Sequence, residues 1–179
     1  FFGFARHGIV PDMITMGKPM GNGIPISGLA AKEDVLAAFS DKLPYFNTFG
    51  GNPVSIAAAQ AVLKYIKDEN LQEHCKKAGA ALLKALKEVQ ERHPESVGDV
   101  RGAGLFLGFE FVKNDGNKTP DKDMALNVIE MLRDEHILTS VIGHYGNILK
   151  LRPPMVFSEN DIDWFATSLD KCITKLENK

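Results

Sequence analysis

The sequence predicts an α/β fold grading into α+β. Early in the chain, short apolar runs of strand length alternate with amphipathic helical stretches, and glycine clusters mark the turns between them. In the second half, strands flank a single helix before a capped terminal helix. Hydrophobic residues make up 44% of the 179, enough for a core.

Phe1 to Val10 reads as a loop or a short helical turn. The apolar run Met13 to Met16 has strand length, and Gly17 with Gly21-Asn22-Gly23 ends it, so Lys18 falls just past a strand end. Ile26 to Ala31 is a second such run. Lys32 to Ser40 predicts a short helix, with Glu33 and Asp34 in its first turn and Val35, Leu36 and Phe39 at helical spacing. The stretch Leu43 to Pro53 is rich in turn residues. Asn52 then serves as N-cap and Pro53 as first-turn residue of a helix to about Lys67, whose alanines Ala57 to Ala61 suit close packing against other backbone.

A longer helix is expected from Leu71 to Arg92, with Leu71, Cys75, Ala78, Leu82, Leu86 and Val89 on one stripe. His93-Pro94-Glu95-Ser96 breaks it. Val97 to Val112 reads as paired strands interrupted at Arg101-Gly102-Ala103-Gly104, and Asn114 to Pro120 as a polar turn. Met124 to Glu135 predicts an amphipathic helix, and Ile137 to Val141 and Ile148 to Leu151 predict strands. Ser158 caps the last helix, which has Ile162, Phe165, Leu169, Cys172, Ile173 and Leu176 on its apolar face. The domain boundary falls near residue 70, separating 1–70 from 71–179, a linking helix and an α+β domain.

Charge and composition narrow the function. The 21 basic and 23 acidic residues give a net charge of −2, no electrostatic case for nucleic acid. No apolar run approaches the roughly 18 residues of a membrane span. Cys75 and Cys172 lie far apart in no metal or redox spacing, which favours reduced thiols and a cytoplasmic setting. The five histidines are scattered without metal-ligand spacing, so no metal site is predicted and most are expected at the surface.

Three places carry possible chemistry. A lysine on rigid backbone beside a cofactor can attack a carbonyl to form a Schiff base, and flanking glycines let the backbone approach a ligand closely. Lys18 fits that description, though a solvated loop lysine satisfies the same spacing. The turn Thr48-Phe49-Gly50-Gly51-Asn52-Pro53 at a helix start offers a hydroxyl, exposed amides and a helix dipole to a phosphate; an ordinary capped turn reads the same. Lys150 and Arg152, just before Pro153-Pro154, are either substrate-binding cations or alternating strand residues, one exposed and one covering a surface.

Pro11-Asp12-Met13-Ile14-Thr15-Met16-Gly17-Lys18-Pro19-Met20-Gly21-Asn22-Gly23, with Phe46-Asn47-Thr48-Phe49-Gly50-Gly51-Asn52-Pro53, resembles the class III (ornithine/4-aminobutyrate type) aminotransferases, fold type I enzymes of pyridoxal 5'-phosphate. The resemblance covers essentially the whole chain as a C-terminal portion: the end of the large cofactor domain plus the small domain. It implies that Lys18 carries the cofactor as a Schiff base and shuttles the substrate proton. It also implies that Thr48, with Gly50 and Gly51, reaches the cofactor phosphate of a neighbouring subunit, making a homodimer with shared active sites.

The activity implied is transamination between a small amine or amino acid and a keto acid or aldehyde. Where the family's transaminases commonly place an arginine for the substrate carboxylate, this chain has Lys150, three residues before Pro153. Lys-Leu-Arg-Pro-Pro-Met is similar to the phospho-lyase branch, which acts on phosphoethanolamine or phosphohydroxylysine; that is the alternative. Arg101 in Val100-Arg101-Gly102-Ala103-Gly104 matches a further family motif and reads as structural. The start Phe1-Phe2-Gly3-Phe4 reads as the beginning of a fragment. The missing N-terminal part would then carry the glycine-rich phosphate turn, the ring-stacking aromatic and the acidic partner of the ring nitrogen, and the 179 residues alone would be inactive. A non-catalytic fragment or assembly module is the rival of another class.

Overall fold

The two short apolar runs at the start of the chain pair with each other. In the computed structural model, which describes residues 1–178, β1 (Met13–Met16) and β2 (Gly28–Ala31) are antiparallel, with Met13 opposite Ala31 and Met16 opposite Gly28. β2 is shorter than the run Ile26 to Ala31 suggests. Ile26 instead folds over Gly21, where an added Cβ would lie 2.9 Å from its Cγ2. A 3-10 turn, Lys18–Gly21, links the end of β1 to that fold. Another, Gly3–His7, occupies the opening loop.

Helices α1 (Glu33–Ser40) and α2 (Pro53–Asp68) follow. Asn52 caps α2, its Oδ1 accepting from the Ser55 amide at 3.0 Å and its Nδ2 donating to the Phe49 carbonyl at 3.1 Å. The close packing expected of the α2 alanines is not found here. Ala57 and Ala61 are exposed, and Ala58 and Ala59 half-buried, because this part of the chain has no second layer to lay over them. Phe46 and Phe49 are 86% and 81% exposed, so residues 1–72 close no core of their own.

The chain divides into two units, Phe1–Gln72 and Glu73–Lys179. Helix α3 (Leu71–Arg92) opens the second, and its stripe is buried through Ala78, Leu82, Leu86 and Val89. Then come β3 (Val97–Ala103), β4 (Phe106–Phe111), α4 (Lys122–Asp134), β5 (Val141–Ile142), β6 (Ile148–Leu151) and α5 (Glu159–Glu177). The strands form one antiparallel sheet in the order β3-β4-β6-β5. Alternation decides its faces: Leu107, Phe109 and Phe111 of β4 and Leu149 and Leu151 of β6 enter a core with Leu82, Leu86, Val128, Leu132, Leu169 and Ile173 of the helices. Each such side chain contributes about 1.5–3 kcal/mol by leaving water. This half of the chain is α+β.

Two expectations change. The interruption placed at Arg101 to Gly104 begins later: β3 continues to Ala103, Arg101 pairs with Gly108, and the turn needs only Gly104, at φ 53°, and Leu105. The strand expected over Ile137 to Val141 reduces to Val141–Ile142, because His136 at φ 63° turns the chain off α4 and 137–140 follow as an irregular edge. That edge is held by the Lys150 amide donating to the Ser140 carbonyl at 2.8 Å. Most histidines are at the surface as expected, His7, His136 and His144 being exposed, while His93 is 5% exposed and its ring nitrogens lie 2.7 Å from Glu177 Oε2 and 3.1 Å from Asp170 Oδ1. The helix breaker thus also ties α3 to α5, beside an Arg92–Asp170 ion pair at 2.6 Å.

Both cysteines are free, Cys75 half-buried and Cys172 buried, and burial pushes both thiols up. No helix among the described residues is long and apolar enough to cross a membrane. Ser158 and Asp161 form a reciprocal capping box on α5. Ser158→Ala is expected to cost about 1 kcal/mol, read as a lowered Tm. The Ser158 hydroxyl, then its amide, hold the Asp161 carboxyl below the usual carboxylate range. The bond's contribution is therefore full above the ordinary carboxylate pKa and is lost as pH falls through the lowered value.

Candidate functional site

Lys18 stands where β1 stops and the glycines begin. Its side chain is exposed, and its backbone is left-handed, φ 51°, immediately before Pro19. For a residue with a Cβ this conformation costs about 1–2 kcal/mol, and a following proline restricts it further. The turn is closed by the Met20 amide on the Gly17 carbonyl at 3.2 Å and the Asn22 amide on the Pro19 carbonyl at 2.9 Å, and it packs against α2. Among the described residues Lys18 has no ion pair or hydrogen-bonded side-chain partner. A strained, rigidly seated lysine with a free amine is suited to nucleophilic chemistry.

Thr48, Gly50 and Gly51 lie in the same unit, ahead of α2, and all three are exposed. No hydrogen bond among the described residues links them to Lys18. The turn is organised by Asn47, whose Oδ1 accepts from the amides of Phe49 at 3.2 Å and Gly50 at 3.0 Å. The Gly50 amide thus donates within its own turn, and Gly50 itself stays exposed. The Thr48 hydroxyl and Gly51, at φ 71°, remain open to solvent. Asn47 was missed in the sequence, although asparagine ahead of Thr-Phe-Gly-Gly is the signal of a side chain closing its own turn.

In the second unit Lys150 and Arg152 share a face. They are two residues apart along β6 and its end, so both lie opposite the buried Leu149 and Leu151. Their burial differs, Arg152 exposed and Lys150 half-buried, which also fits ordinary strand residues, one exposed and one covering a surface. Lys150 is half-buried and stands beside Gly108, with Arg101 next in the same row on β3. Arg101 is committed: its Nη1 lies 2.6 Å from Glu110 and 2.6 Å from Asp99, and these bonds hold its guanidinium still more firmly protonated. It anchors β3 to β4, as the sequence suggested. Lys150 and Arg152 have no carboxylate partner among the described residues, and both line a cavity of about 560 Å³ with His136, Thr139, Trp164 and Phe165.

A family described as "Aminotransferase class-III" matches residues 1–173. The chain belongs to the class III aminotransferases. It is 45% identical over 168 residues to "Ethanolamine-phosphate phospho-lyase homolog 1" of Caenorhabditis elegans, covering 93% of this chain and 36% of that protein. It is 37% identical over 176 residues to "Alanine–glyoxylate aminotransferase 2 homolog 2, mitochondrial" of Arabidopsis thaliana, covering 98% of this chain and 36% of the other. Among solved structures, a phospholyase from Arthrobacter in complex with phosphoethanolamine superposes with a TM-score of 0.92 at 37% identity, over 97% of this chain and 41% of that one. The chain spans about a third of the length of these curated relatives.

Enzymes of this class use pyridoxal phosphate, and the fold is that of a fold type I portion. The residues present fit that group in part: a strained lysine, without a side-chain partner among the described residues, for its aldehyde, and an open threonine hydroxyl and glycines at a helix start for its phosphate.

Proposed function

We propose that the full-length protein uses pyridoxal phosphate to eliminate phosphate from a small phosphorylated amine of the phosphoethanolamine type. The observation that carries this reading is the pair Lys150 and Arg152, two cations on one sheet face with no carboxylate partner among the described residues. A phosphate dianion is matched by two such charges, whereas a carboxylate clamp calls for a single bidentate arginine. The 45% identity to a protein named as a phospho-lyase homolog supports the same choice.

The bound cofactor supplies an aldehyde for the substrate amine and an electron sink for the carbon that bears it. Lys18 would hold the cofactor at rest. With substrate bound, Lys18 Nζ would be the base that removes a proton from the amine-bearing carbon. Loss of that proton would let the adjacent carbon release phosphate, its C–O bond breaking with the electrons on oxygen. Lys150 and Arg152 hold the departing phosphate, and hydrolysis of the resulting unsaturated amine gives an aldehyde and ammonia. Thr48, with Gly50 and Gly51, would serve the cofactor phosphate of a neighbouring subunit. Their exposure, and that of Phe46 and Phe49 beside them, supports a dimer interface there.

Transamination is the second reading, favoured by relatives named as alanine–glyoxylate aminotransferases at 37–38% identity. A purely structural role leaves the strain at Lys18 without a use. Full-length protein incubated with phosphoethanolamine and no keto acid is expected to release phosphate and acetaldehyde in equal amounts. Amino transfer that requires a keto acid, with no phosphate released, overturns the lyase reading.

A further inference from the structure

Phe106 is an exposed aromatic, 61% accessible, at the start of β4, and no burial explains it. It stands opposite Arg152, one step beyond the paired Leu107 and Leu151, on the same open face of the sheet. The Arg152 guanidinium carbon lies 5.4 Å from the centre of its ring. An arginine held by carboxylates, as Arg101 is through Nη1 by Glu110 and Asp99, points that N–H group at them rather than at a ligand. One held over a ring face is oriented through the ring's quadrupole and keeps its in-plane donors for a ligand.

We propose that Phe106 is a positioning residue that holds Arg152 ready to bind the phosphate group of the substrate. This rests on the reading of Lys150 and Arg152 as the substrate-anion site. Lys150 stands opposite Gly108, which presents no side chain to hold it, so on this face the ring support is given to Arg152. The ring acts on binding rather than on proton transfer, so its loss raises KM for the phosphorylated amine and leaves kcat within about twofold.

The test uses the full-length holoenzyme, whose cofactor site is filled, titrated calorimetrically with inorganic phosphate. Phe106→Leu is expected to weaken phosphate binding about fivefold, the scale of one partly exposed cation–ring contact. Phe106→Tyr is expected to restore it. Arg152→Gln should weaken binding at least as much, and adding Phe106→Leu to it should change nothing further. Unchanged affinity in Phe106→Leu overturns the proposal. So does a further fivefold loss in the double variant, or a parent holoenzyme that binds no phosphate. Phosphate release from phosphoethanolamine is measured separately. If it is absent while Phe106 and Arg152 still govern phosphate binding, the lyase reading falls and the role of Phe106 stands; if it is present and Phe106→Leu binds phosphate like the parent, the reverse holds.

Discussion

Replacing Lys18 with alanine in the full-length protein is expected to lower turnover by at least about 10⁴-fold while leaving Tm within a degree or two. The rate follows from one amine doing two jobs. A positioned general base alone is worth about 10²–10⁴, and in the proposed mechanism the same nitrogen is also the nucleophile that holds the cofactor. The unchanged Tm follows from the site: Lys18 is exposed, without ion pair among the described residues, and alanine suffers the same left-handed strain at φ 51° that lysine does. Lys18→Arg separates charge from chemistry, since guanidinium keeps the cation but is neither a nucleophile nor a base near neutral pH. It should be as inactive as alanine. Turnover within tenfold of the parent in either variant would remove Lys18 from the mechanism, and the absorbance of a lysine-bound cofactor should vanish in both.

Much of this site is legible because its signals are local. Gly17, Gly21 and Gly23 around Lys18 mark a strand end and a tight turn within a few residues, and Asn52 and Ser158 announce the starts of α2 and α5 by the chemistry of their own side chains. The buried stripe of α3 is likewise written at helical spacing. What escaped depends on pairings between distant segments. Phe106 meets Arg152 only through the register of β4 on β6, and His93 is buried only because α5 returns with Asp170 and Glu177. The edge at 137–140 reads as a strand by apolar content, yet the left-handed turn at His136 sets its path. The alanines of α2 carry a packing signal for which residues 1–72 supply no facing layer.

Gly79 sits in the middle of α3, where glycine normally costs about 1 kcal/mol against alanine, so Gly79→Ala at an ordinary helical position would stabilise. Here the expected sign is the opposite. A Cβ built on Gly79 lies 2.2 Å from the Gly104 carbonyl oxygen and 2.3 Å from its carbon. These are backbone atoms of the β3–β4 turn, and Gly104 holds its own left-handed φ of 53° there, so neither can swing aside as a side-chain tip would. Helix and hairpin would have to part by about an ångström along a buried contact, an overpacking cost of about 3 kcal/mol or more that outweighs the gain in helix propensity. The net loss is about 2 kcal/mol. It should appear as a lowered Tm of the full-length protein, with faster amide exchange along α3 and the β3–β4 turn. Ala80→Gly, on the exposed neighbour, measures propensity alone and should cost about 1 kcal/mol. A Gly79→Ala protein as stable as its parent, or more so, would mean that α3 and the hairpin do not meet through their backbones. The sheet face carrying Phe106, Lys150 and Arg152 would then lack the support that sets its register against the helices.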